Sequence, residues 1–186
     1  MNHIKYGALL LLLSSQTVNA AGWTLFAGKE DGYVAEPAVS IIAGQMSPGD
    51  KNLDPQTITG LELSLNCPLL QPPTNRIRQQ ISYTTFKQDE FTLTNIELNP
   101  HYVVEVSPKL EIGGGPGFGY LMTSGGAKNP SLLAVNVGAS AHYFGLGPVF
   151  LGAEWRYQLT TSEDFGGTDK QDMNNWRFAA KVGYSF

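Results

Sequence analysis

Cysteine is nearly missing from this chain. Cys67 stands alone, so an intramolecular disulfide is excluded whatever the compartment would permit. Basic charge is also scarce, with 12 Lys and Arg against 16 Asp and Glu and a net charge of −4. A chain without basic excess has no electrostatic footprint for nucleic acid, and no nucleic-acid partner is expected. Long apolar runs are missing as well: past residue 20 none approaches the ~20 residues of a spanning helix. Charged residues make up only 15% and glycine is plentiful at 21, which leaves a β-rich chain.

The first 20 residues have the order of a secretory leader. Lys5 supplies the positive end, Ala8 to Leu13 the apolar core, and Val18, Asn19 and Ala20 a cleavage site. Cleavage after Ala20 is expected, leaving 11 basic against 16 acidic residues and a net charge of −5. No cysteine follows that site, so a lipid-modified N-terminus is not expected.

From there the organising pattern is a period of two. In the closing stretch 172–186, Trp176, Phe178, Ala180, Val182, Tyr184 and Phe186 alternate with Asn175, Arg177, Ala179, Lys181, Gly183 and Ser185. Successive side chains of a strand point to opposite faces, so one face is apolar and the other polar or small. The same alternation predicts strands at 38–45, 56–67, 76–86, 91–105, 110–122, 130–144 and 148–159. Residues 21–37 are expected to form a lead-in or a short strand. In the third run Cys67 falls on the face of Leu61, Leu63 and Leu65. Pro100 predicts a bulge or an interruption within 91–105. Glycines at 113, 115, 117 and 119 leave the inner face of 110–122 without side chains.

Eight strands of about ten residues suit a small membrane barrel. Connections alternate in length as such a barrel requires, with short turns near 107–109 and 145–147 and longer loops at 46–55, 123–129 and 160–171. Two connections break the rule: 67–75 is long for a turn, and 87–90 is short for an outer loop. Tyr102, Tyr120, Tyr143, Trp155, Tyr157 and Trp176 suit interfacial girdles. A soluble sandwich or lipocalin-like barrel shares the alternation.

The aromatic ending resembles the closing strand of Gram-negative outer-membrane β-barrels, and the whole pattern resembles the small OmpA- and OmpX-like family. That resemblance implies an all-β, transmembrane, antiparallel up-and-down barrel over 38–186, located in the outer membrane. Its partners would be outer-membrane lipids and the barrel-insertion machinery, which would read Tyr184 and Phe186 as an assembly signal. A monomer is expected; a loop partner is not identified.

The alternation sends Glu62, Glu97, Glu111 and Glu154 into the lumen with Arg76, Arg78, Arg156, Arg177 and Lys181. An eight-stranded lumen is only wide enough to fill with side chains, and enclosed charges must be paired. A salt-bridged plug is therefore expected in preference to a pore, although the glycine strip keeps a narrow pore for small solutes as an alternative. Ser140, His142 and Glu154 also point inward and combine a nucleophile, a base and an orienting carboxylate. A lipid substrate would not reach a lumen, so a hydrogen-bond network is the simpler expectation and a lipid-acting enzyme the third reading. Asp50 to Asp54 places oxygen ligands at alternate positions, but Pro55 occupies the place where a calcium loop needs glycine and Leu61 the place of its last glutamate. No metal or cofactor is expected. The expected role is non-enzymatic, structural or exerted through the outer loops.

Overall fold

A computed structural model describes residues 22–49, 53–167 and 169–186. The expected leader lies outside the described residues, as do Asp50 and Asn52 of the calcium-like stretch.

Among the described residues there are ten strands: β1 (Thr24–Leu25), β2 (Ala38–Pro48), β3 (Gln56–Asn66), β4 (Leu70–Gln71), β5 (Arg76–Gln88), β6 (Phe91–Ser107), β7 (Leu110–Ser124), β8 (Ser131–Leu146), β9 (Val149–Thr160) and β10 (Asn175–Ser185). Eight of them close into an antiparallel barrel in the order β10-β2-β3-β5-β6-β7-β8-β9. The last strand closes the wall on the first, from Asn175 against Pro48 to Ser185 against Ala38. Stretch 23–27 is not part of that wall: β1 pairs with β4 in a separate two-stranded sheet.

Both irregular connections have local causes. The long one between β3 and β5 carries β4, and the Gln71 side chain holds it to the wall through the backbone N–H and carbonyl of Ile77. The short one is a two-residue hairpin closed by Gln88 opposite Phe91, with Asp89 in the left-handed conformation at φ 52. Such turns need positive φ, which Asp tolerates better than most residues.

Pro100 does not break β6, which remains paired to β5 through Gln79. On the β7 side the ladder lapses between the pairs Leu98–Phe118 and Tyr102–Gly114, and the register there sets Pro100 opposite Pro116. Neither residue has an N–H to contribute. The register shift in β6 lies at its end, between Glu105 and Ser107. Cys67 departs from its expected face: it lies beyond the end of β3, is buried, and donates its N–H to the carbonyl of Ile77.

The middle of the wall is apolar outside and polar inside. Ile41, Leu61, Ile96, Val137, Leu151 and Val182 face outward, while Glu62, Gln80, Glu97, Asn99, His101, Glu154 and Arg156 are buried inside. At the loop rim the inside turns apolar, and on β3, β5 and β6 the outside turns polar. Thr57, Thr59, Thr85, Lys87, Thr92 and Thr94 occupy the outward positions, and the inward ones form an apolar layer of Met46, Ile58, Phe86, Leu93, Leu121, Leu132 and Ala134, joined by Met173. Strand length makes room for both regimes. The 17 residues of β6 reach roughly 56 Å at ~3.3 Å each, well beyond what crosses an apolar band ~25 Å tall even when tilted.

Candidate functional site

The expected lumen charges separate into two groups. In the central group, Lys181 lies 2.5 Å from Glu62 and 2.6 Å from Glu154. Arg156, fully buried, lies 3.0 Å from Glu154 and donates to Gln80 at 2.7 Å. Arg177 reaches Glu97 at 2.5 Å. The same Glu97 oxygen also accepts from Asn136 at 3.0 Å and from Gln158 at 2.9 Å. Three carboxylates thus meet three cations, an enclosed arrangement that leaves no net charge to be solvated.

The second group closes the opposite rim, where the described chain begins and ends. Arg76 pairs with Glu111 and, at 3.1 Å, with Glu36. Arg78 lies 3.6 Å from Glu36, donates to the Glu36 carbonyl at 2.9 Å and to Ser64 at 3.1 Å. Glu36 was not among the residues expected here, because it precedes the first wall strand and carries no period-two signal. It turns inward through a left-handed backbone, φ 45. With it, this group also balances, two carboxylates against two guanidinium groups.

The glycine strip on β7 is occupied by its neighbours. A Cβ on Gly117 would collide with Asn99 Oδ1 and the amide of Asn136, and a Cβ on Gly115 with the Pro100 carbonyl. The missing side chains allow Asn99 and Asn136 to lie flat against the wall, so the strip is packed.

Ser140, His142 and Glu154 do not form a relay. Ser140 Oγ is 2.9 Å from Nδ1 of His101 on β6, whereas His142 packs edge-on against Phe150 with ring centroids 5.6 Å apart. Glu154 is engaged by Arg156 and Lys181. The serine–histidine pair has no orienting carboxylate and is buried, which makes it a member of the polar network. Among the described residues no His, Cys, Asp and Glu gather in a group able to hold a metal ion.

Alternation puts Glu62, Glu97, Arg156, Arg177 and Lys181 on the inward face, where they are buried, and does not reach Glu36. It gave no warning of the apolar layer, although Phe86, Leu93 and Leu121 share the inward parity of the polar residues on their strands.

No family model and no curated protein matches the chain. Solved structures do. The N-terminal β-barrel domain of OprF from Pseudomonas aeruginosa aligns at 16% identity and TM-score 0.53, covering 82% of this chain and 100% of that one. Ail, the attachment invasion locus protein of Yersinia pestis, aligns at 14% identity and TM-score 0.54, covering 83% and 100%. Neisserial surface protein A aligns at 16% identity and TM-score 0.56, covering 81% and 96%. At such identities the likeness concerns the fold, and it agrees with the closed eight-stranded wall, the outward apolar band and the filled lumen: this chain has the fold of the small OmpA- and Ail-like outer-membrane β-barrels.

Proposed function

We propose that this chain is an integral protein of the Gram-negative outer membrane, with the rim of Glu36 and Phe186 on the periplasmic side, and that it supports the envelope or presents its outer loops without conducting solutes or catalysing a reaction. The observation that supports this reading is the lumen: among the described residues charge pairs cross it at mid-depth and an apolar layer packs across it at the loop rim. The outer loops are braced. Lys128 pairs with Asp164, Phe165 packs on the apolar layer, and Glu163 and Gln171 bridge the base of the last loop. Asp164 is held below the usual aspartate range by the hydrogen bond from Lys128 and by the N–H of Gly166.

The test uses a deletion strain complemented with the full protein or with a variant in which residues 164–170 are replaced by two glycines, keeping the Glu163–Gln171 base. Both proteins should remain with outer membranes after carbonate extraction. Rescue of detergent sensitivity by both would assign the structural role, and rescue by the full protein alone the loop-mediated one. Recovery in the soluble periplasm, or turnover of lipid A by the purified protein, would overturn the reading.

A further inference from the structure

The exposed apolar surface does not end with the wall. Trp23 (43%), Leu25 (63%), Phe26 (59%) and Leu69 (62%) are exposed within the range of the outward residues Tyr157 (40%) and Phe118 (63%), yet they lie in or next to the small β1–β4 sheet outside the barrel. Pairing brings these exposed side chains together, Leu25 opposite Leu70 and Phe26 bonded through its N–H to Leu69, and grouped apolar exposure marks a contact surface. The sheet is held firmly: Phe26 donates its N–H to Leu69 O at 2.7 Å, Gly28 to Pro68 O at 2.8 Å, and Ala27 is buried. Its one cation lies over it, with the Lys29 ammonium 5.7 Å from the centre of the Phe26 ring, and the exposed acids Glu30 and Asp31 follow.

Its position relative to the wall favours one occupant. The turn after β4 is tied to Tyr102, whose hydroxyl accepts from Asn75 Nδ2 at 2.8 Å and donates to the Thr74 carbonyl at 3.4 Å. Tyr102 faces outward near the terminal rim, so the connection that carries β4 is held beside the outward face of the wall at that rim. Trp favours the headgroup layer, where an apolar ring body meets a wet boundary, and Phe and Leu fill the apolar side of segments that lie in it.

We propose that Trp23, Leu25, Phe26 and Leu69 form a foot that seats in the phospholipid headgroup layer at the terminal rim, fixing the depth of the barrel. The inference rests on the membrane location argued above. One lysine beside two acids supplies no cationic attraction, so seating is driven by apolar area and is the same on zwitterionic and anionic phospholipid.

The chain's three tryptophans allow a test that separates this inference from its premise. Full-length protein is refolded into phosphatidylcholine vesicles, with and without phosphatidylglycerol, as Trp155→Phe/Trp176→Phe, which keeps Trp23, and as Trp23→Phe/Trp176→Phe, which keeps Trp155. Vesicles brominated near the glycerol end of the acyl chains should quench Trp23 more than vesicles brominated near the methyl end, with aqueous iodide having little effect and phosphatidylglycerol none. Adding Leu25→Asn and Phe26→Asn should restore iodide access to Trp23. If lipid quenches Trp155 while Trp23 answers to iodide alone, the foot is refuted and the patch is open to a periplasmic protein. If lipid quenches neither, the membrane location fails, and the foot with it.

Discussion

Arg177 on β10 and Glu97 on β6 meet at 2.5 Å although their strands are four places apart in either direction around the barrel. A bond between diametrically opposite strands passes through the middle of the lumen. Arg156 on β9 and Gln80 on β5 do the same at 2.7 Å.

Arg177→Met should destabilise the barrel by about 3–5 kcal/mol, because it strands a buried carboxylate. Asn136 and Gln158 remain as donors to Glu97, which places the loss toward the lower end. The double variant Arg177→Met/Glu97→Met removes both charges and should recover much of that loss, despite leaving those two amides without their acceptor. Urea unfolding in lipid vesicles measures the cycle, and additive losses would show that the two residues are not coupled.

The wall is tested on β9. Ala153 faces outward between Ala141 and Ala180, so Ala153→Arg should cost ~2–4 kcal/mol, as a cation does near the bilayer midplane. Glu154→Gln keeps the shape of the inward neighbour. Lys181 retains Glu62, and Arg156 retains Gln80, so the loss should be smaller, about 1–3 kcal/mol. A tolerated arginine at 153 would invert the face assignment and remove the basis for a polar lumen together with it.

The apolar layer predicts a contrast between sequence neighbours. Phe86 is buried within it, and Phe86→Ala should cost about 3–5 kcal/mol through the cavity it leaves. Lys87, exposed on the outer surface, should tolerate alanine within about 0.5 kcal/mol. Equal losses would mean that the layer does not pack as a core.

Assembly is tested at the terminus. Phe186 is 74% exposed, donates its N–H to Pro37 O at 3.0 Å and stacks edge-on with Tyr184, ring centroids 5.2 Å apart. Deleting Phe186 should reduce insertion in cells more than deleting Gly167 does, with heat-modifiable migration as the readout. Equal insertion would remove any role for the aromatic end as a signal.

The wall was legible because membrane strands obey a strict two-residue period. Residues as different as Ile96 and Glu97 declare their faces by parity, and proline, glycine and asparagine mark the connections between runs. The apolar layer was not legible for the same reason. Parity tells which face Phe86 occupies but not its depth, and at the loop rim the inward face turns apolar. Glu36 and the foot were hidden differently. Their positions are set by a left-handed turn and by pairing with β4, where Thr24 meets Gln71 47 residues downstream, and neither leaves a periodic trace. The partner of Ser140 was misplaced because proximity along one strand suggested His142, whereas the barrel brings His101 from two strands away.

A lumen crossed by its own charge pairs and packed above them by the apolar layer should pass no ions. Single-channel recording of refolded protein in planar bilayers tests it most directly. Wild-type protein whose insertion is verified should show no discrete current steps, and an Arg177→Ala/Glu97→Ala/Phe86→Ala variant that still folds should show them. Stable conductance steps from the wild-type protein would mean that the lumen is open.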